Sequence, residues 1–185
     1  ASQRGGMLYL KPDMASLATG SVNFPGMIYE NPPQLIDELA GKMKIYDVKP
    51  EIEVFDAAML YNAIKMSESG AISSPIHVQF VLGIPGAMPV RRKLLEFLID
   101  ELVVLAPDAT WSAMGIGRNQ FEVNKWSLEL GGHARTGFED NVKLNKNELA
   151  KNNAALVRLI ADAAAEYDRT IAAPDEARAI LGLTR

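Results

Sequence analysis

Cysteine is absent from this chain of 185 residues. That excludes a disulfide framework, a thiolate zinc site and a thiol nucleophile, and it fits a reducing cytoplasm. Histidine is almost as scarce, with only His77 and His133. No window holds 18 apolar residues in a row, so no membrane span is expected. The start, "ASQRGGMLYL", lacks the plan of a signal peptide. Excess positive charge is missing too. The net charge is −4 and the pI about 5.3, so neither nucleic acid nor an acidic membrane is an expected partner. No G-x-G-x-x-G follows a first strand, and "GIGR" at 115–118 is too short to support a dinucleotide fold. No internal repeat or low-complexity stretch stands out.

What is present is an alternation of strand-like and helix-like segments. Residues 14–24, "MASLATGSVNF", read as a strand running into a loop. "NPPQLIDELAGKMKIYDV" follows as a helix, with Asn31 as N-cap and Pro32-Pro33 in the first turn. Residues 50–56 form a strand, and the next helix spaces Met59, Ala63 and Met66 before stopping at Gly70. "PIHVQFVLG", 75–83, is the strongest strand. A helix over 90–107 stops at Pro107, and "TWSAMGIG" is again a strand. A short helix at 121–132 precedes the strand "HARTGF", 133–138. A last helix over 148–167 lines up Leu149, Asn153, Leu156, Ile160 and Ala164. Five strand–helix units in succession argue for one α/β domain over 1–185, with a parallel sheet buried on both faces. An open doubly wound sheet and a (βα)8 TIM barrel both fit this pattern.

In such folds the active site lies at the carboxyl ends of the strands. Those ends offer Thr19, Ser21 and Asn23; Glu53, Phe55 and Asp56; residues 83–88; residues 115–119; and Glu139 with Asp140. The stretch "GGHARTGFEDN" is the most telling. Arg135, Gly137 and Glu139 share parity, so a regular strand would point them to one face. Burying an Arg and a Glu there costs several kcal/mol unless they are paired or bind a metal. Asp140 falls just past the strand, within reach of Arg135, which would hold it ionised. A structural ion pair and a catalytic rim both account for the cluster. Of Glu51 and Glu53, the latter is nearer the carboxyl end and is the better functional candidate; Glu51 suits a solvated bottom edge. His77 and His133 each begin a strand, away from that rim. Six extended residues, about 20 Å, separate His133 from Glu139, so neither histidine joins Glu139 on one ion. The loop "GIPGAM", 83–88, is rich in backbone and suits either a phosphate or thioester cradle or an ordinary turn.

Taken together, "KPDMASLATGSVNF", "KPEIEVFD", "HVQFVLGIPGAMP", "WSAMGIGR" and "GGHARTGFEDN" resemble, in this order, the β-keto acid cleavage enzymes. That family includes the 3-keto-5-aminohexanoate cleavage enzyme of lysine fermentation. The resemblance runs from about Lys11 to the C-terminus. It implies a (βα)8 barrel that assembles as a homotetramer, with one zinc held by an H-x-H motif and a glutamate. It implies a reaction of a β-keto acid with acetyl-CoA to give acetoacetate and a new acyl-CoA. Carried over, Glu139 is the zinc ligand, and Arg135 and Asp140 are the dyad that activates the substrate carbanion. Glu53 is the strand glutamate near the metal, and Ser16 a hydroxyl at the substrate. The resemblance puts Asn23 with the substrate-binding residues and Gly83, Pro85 and Gly86 on the wall of the CoA site.

The sequence also departs from the family. It has no H-x-H, and a closed barrel needs about 250 residues. The expectation is therefore that this chain holds units four to eight, with the N-terminal third and its histidines lying elsewhere. Two other readings remain open: a metal-dependent aldolase-type lyase that needs no CoA, and a non-catalytic half-barrel.

Overall fold

The computed structural model describes residues 4–183. In chain order it contains β1 (Met14–Ala18), β2 (Val22–Phe24), β3 (Met27–Tyr29), α1 (Pro33–Tyr46), β4 (Lys49–Val54), α2 (Ala57–Glu68), β5 (His77–Leu82) and α3 (Arg92–Leu105). There follow β6 (Thr110–Gly115), α4 (Gln120–Glu129), β7 (His133–Ala134), β8 (Lys143–Asn145), β9 (Glu148–Leu149), α5 (Asn153–Ala164) and α6 (Pro174–Ile180). Among the described residues no helix is long and apolar enough to cross a membrane.

Five strands make one parallel sheet in the order β1-β4-β5-β6-β7. The order follows the sequence with no reversal, so the doubly wound alternative is excluded. Right-handed crossovers that all step the same way place α1 to α4 on one side of the sheet, while α6 lines a cleft over Glu51, His77, Gln79 and Ser112 on the other. The expectation of a sheet buried on both faces holds for the central strands: every residue of β5 is buried, and every residue of β6 after the first. The side chains divide accordingly. Leu17, Ile52, Val54, Val78, Phe80, Leu82, Trp111 and Ala113 alternate onto the helix-covered side, and none is more than 8% exposed. Leu95, Leu98 and Leu102 of α3 are fully buried in the same core, each worth roughly 2 kcal/mol in apolar area removed from water.

The opposite face is polar. In-register pairing aligns Ser16, Glu51, His77 and Thr110 in one row and Glu53, Gln79, Ser112 and His133 in the next. Ser112 Oγ donates to Gln79 Oε1 at 2.6 Å, and His77 Nδ1 lies 2.8 Å from Thr110 Oγ1.

Local chemistry sets the ends of the elements. Asp56, directly after β4, caps α2 by accepting from the Met59 N–H at 2.9 Å. Asn152 caps α5 through the Ala155 N–H at 3.0 Å. Three expectations fail. Asn31 does not cap α1: Pro32 holds that position, and buried Asn31 turns its amide to the Tyr29 carbonyl. The last long helix does not start at 148. Residues 143–149 fold instead into the β8–β9 hairpin, leaving Leu149 63% exposed, because the cap Asn152 sets the true start. The strand over 133–138 is only two residues long, since pairing with β6 ends at Ala113–Ala134.

Candidate active site

The short β7 changes how Arg135 and its neighbours are presented. Beyond Ala134 the chain leaves the ladder and turns, with the amides of Asp140 and Asn141 both bonded to the Gly137 carbonyl. The alternation that would stack Arg135 and Glu139 on one buried face does not continue. The Glu139 side chain is 81% exposed. Arg135 still reaches it, and the structure gathers the charges differently from a strand.

The Arg135 guanidinium sits among three carboxylates. Nη1 is 3.1 Å from Glu53 Oε1, Nη2 is 2.8 Å from Glu139 Oε2, and Nε is 3.4 Å from Asp140 Oδ2. Glu53 stands at the carboxyl end of β4, and Asp140 is pinned from behind by the Gly117 amide on its carbonyl at 2.7 Å. The Asp140 side chain is 5% exposed and that of Glu53 14%. Burial pushes the Glu53 and Asp140 carboxyls above the ordinary range, more than Arg135 pulls them down. Burial works against the charge of Arg135, but Asp140, Glu53, Glu51 and Glu139 outweigh it and hold the guanidinium firmly protonated. Two protonatable carboxyls on one fixed cation can take a proton from a bound carbon acid and return it.

The other expected residues fall into two groups. The loop 83–88 packs on the β2–β3 hairpin. Gly83 donates to the Met88 carbonyl at 2.8 Å, and Met88 donates to the Phe55 carbonyl at 3.1 Å. Gly86 has φ +92°, and a Cβ there would lie 2.4 Å from the Asn23 carbonyl oxygen, so the loop and Asn23 are in close backbone contact. Pro85 lies in this loop. Ser16 is exposed in the middle of β1, where its hydroxyl donates to Glu51 at 3.2 Å. Glu51 is therefore half-buried on the inner polar face rather than solvated at the bottom edge.

Both histidines begin their strands as expected, with ring centroids 6.4 Å apart. Burial, then His133 and Lys49, depress the His77 pKa to about 4. Among the described residues no group of three or more His, Asp and Glu is placed to hold a metal. Glu139 offers one exposed carboxylate already engaged by Arg135. The residues present do not make a zinc site, which needs three protein ligands. Two clefts flank Arg135. One of about 830 Å³ lies between β7, α5 and α6, and one of about 260 Å³ lies over Glu51, His77, Gln79 and Ser112. Sequence patterns pass over Gln120, Asn124 and Asn153, which bond to the backbone of residues 135–138. The available signal was polar residues at helical spacing on α4.

Known proteins share this chain's features at three levels. A solved structure described as the apo structure of ObcA superposes with a TM-score of 0.83 at 20% identity, covering 94% of this chain and 45% of that one. The 3-oxoadipate:acetyl-CoA acetyltransferase of Cupriavidus necator is 58% identical over 181 residues. The 3-keto-5-aminohexanoate cleavage enzyme of Acetoanaerobium sticklandii is 39% identical over 179 residues. These alignments take in 98% and 96% of this chain, which spans 64% of the length of each relative. The sequence profile of the beta-keto acid cleavage enzyme matches residues 1–183, and the chain belongs to that family.

Proposed function

We propose that this chain forms five of the eight units of a (βα)8 barrel, units four to eight. We propose further that it carries the proton-transfer wall of an acetyl-CoA-dependent β-keto acid cleavage enzyme. One observation carries the reading: Arg135 is held between two buried carboxylates, Glu53 and Asp140, at the carboxyl end of a parallel sheet. The unreversed strand order and the polar inner face support the barrel.

The substrate we propose is 3-oxoadipate, supported by the 58% identity to the enzyme named for it. Asp140, oriented by Arg135, takes the C2 proton. The C2 carbanion adds to the acetyl thioester carbon and CoA thiolate leaves. The thiolate then adds to the C3 carbonyl and the C2–C3 bond breaks. Asp140 returns its proton to C2, and the products are acetoacetate and, from 3-oxoadipate, succinyl-CoA. Glu53 holds the far side of the guanidinium. Ser16 and Asn23 face the substrate, and Gly83, Pro85 and Gly86 wall the thioester.

Zinc polarises a carbonyl when bound. Among the described residues Glu139 belongs to no group of three that could hold it, so no step here is routed through it. A homotetramer in the cytoplasm completes the reading by analogy with the family. The test is acetoacetate formation from 3-oxoadipate and acetyl-CoA by the protein in its full natural length. Asp140→Asn should lower turnover at least ~100-fold, the usual scale for a lost general base, while the fold persists. Full activity in that variant would remove the dyad. Product formation without any thioester would favour an aldolase, and preference for 3-keto-5-aminohexanoate would replace the substrate.

A further inference from the structure

Helix α4 turns a stripe of polar side chains into the protein. Gln120, Asn124 and Ser127 lie at i, i+4 and i+7 on one face, and none is more than 2% exposed. Apolar residues ordinarily fill such a face, and buried amides are costly unless they find partners. All three are spent on one strip of backbone. Ser127 Oγ donates to the His133 carbonyl, Asn124 Nδ2 to the Arg135 carbonyl at 2.8 Å, and Gln120 Nε2 to the Gly137 carbonyl at 3.3 Å. Thr136 Oγ1 closes the strip by donating to Gln120 Oε1 at 2.6 Å.

The pattern continues a strand that has ended. Backbone pairing between β6 and β7 stops at Ala113–Ala134. Asn124 then bridges the same two segments with its amide, since Nδ2 also donates to the Ala113 carbonyl at 3.2 Å. The captured carbonyls belong to alternate residues, 133, 135 and 137, as they would along a strand edge. Asn124 Oδ1 is buried without a partner, so the two donated bonds alone orient this amide. The stripe sits on the backbone of the residue whose side chain meets both buried carboxylates.

We propose that Gln120 and Asn124 are positioning residues: their amides fix the backbone of 135–137 so that Arg135 spans Glu53 and Asp140 at once. The inference rests on the reading of Arg135 and Asp140 as the reacting dyad and deepens it. Its test does not depend on turnover. Phenylglyoxal modification of Arg135 is followed by peptide mass spectrometry on the protein in its full natural length and on its Asn124→Leu and Gln120→Met variants, which keep bulk and lose the donors. Leu102→Ala, a core truncation in α3, serves as the destabilised control.

Arg135 should react about fivefold faster in either α4 variant, the factor that corresponds to one ordinary hydrogen bond, and at the unchanged rate in Leu102→Ala. In the active full-length protein kcat should fall with KM for acetyl-CoA nearly constant. Unchanged Arg135 reactivity in a folded variant overturns the proposal, and so does equal acceleration in the control. If both α4 variants fail to fold, the stripe is a folding element and the proposal also falls. Turnover that survives Arg135→Lys would instead remove the dyad, and the modification rates would still decide the positioning.

Discussion

Arg135 shows how a charge cluster becomes a site. A single guanidinium meets three carboxylates, two of them buried, and burial rather than repulsion is the first cause of their raised pKa values. Removing the cation leaves Glu53 and Asp140 uncompensated. Arg135→Met should cost about 3 kcal/mol at pH 8. The loss should shrink toward pH 4, because protonated carboxyls no longer need the cation; urea unfolding at the two pH values measures it. In the proposed reaction the same shifts would set the acid limb of the pH profile. A base with a raised pKa is protonated, and inactive, to a higher pH, so the kcat/KM of the proposed reaction should fall away below a midpoint that lies above the ordinary aspartate range. His77 acts in the opposite sense. Its folded pKa of about 4 lies below the ordinary 6.5, so the unfolded chain takes up a proton that the folded chain refuses. Stability should drop by up to about 3 kcal/mol as pH falls through that window. His77→Gln should flatten that part of the curve, as thermal unfolding across pH 4–7 would record.

Elements place these residues through their ends more than their lengths. Strands β4 to β6 are plain in the sequence because each is a short run whose apolar side chains are buried in the core. The ends of β7 and α5 are not, because side chains decide them: Asn124 and Gln120 take over where the ladder stops, and Asn152 starts the helix. The same holds for the loop 83–88. Its glycines were visible, but its contact with Asn23 joins residues about 60 apart in sequence. Gly86→Ala forces a Cβ toward the Asn23 carbonyl at a positive φ and should destabilise by about 2 kcal/mol. Calorimetry would show a matching fall in Tm, and no change in Tm would mean that the hairpin yields.

The described residues form one parallel sheet with α1 to α4 over an apolar core on one face and, on the other, buried Gln79 and Ser112 beside Val81 and Met114. Metal binding is a property at this scale. Among the described residues no group of three or more His, Asp and Glu is placed to hold a metal, and Glu139 is engaged by Arg135, so excess zinc should shift the Tm of this chain by less than about 1 °C, since a ligand stabilises only as far as its concentration exceeds its Kd. A shift of several degrees in a thermal scan would reveal a site that these residues do not make.

By itself the sequence determined the α/β succession, the family and the grouping of Arg135 with Glu139 and Asp140. Local patterning and short motifs suffice for those. The pairing of Arg135 with Glu53 came from the structure. Only the tertiary structure decided that Glu139 is exposed while Asp140 is buried, and that Glu51 is half-buried and bonded to Ser16. It alone turned Gln120 and Asn124 toward the arginine's backbone. The physical reason is that burial and hydrogen-bond partners come from segments distant in sequence, and where a strand ends is settled by which of them offers the next donor.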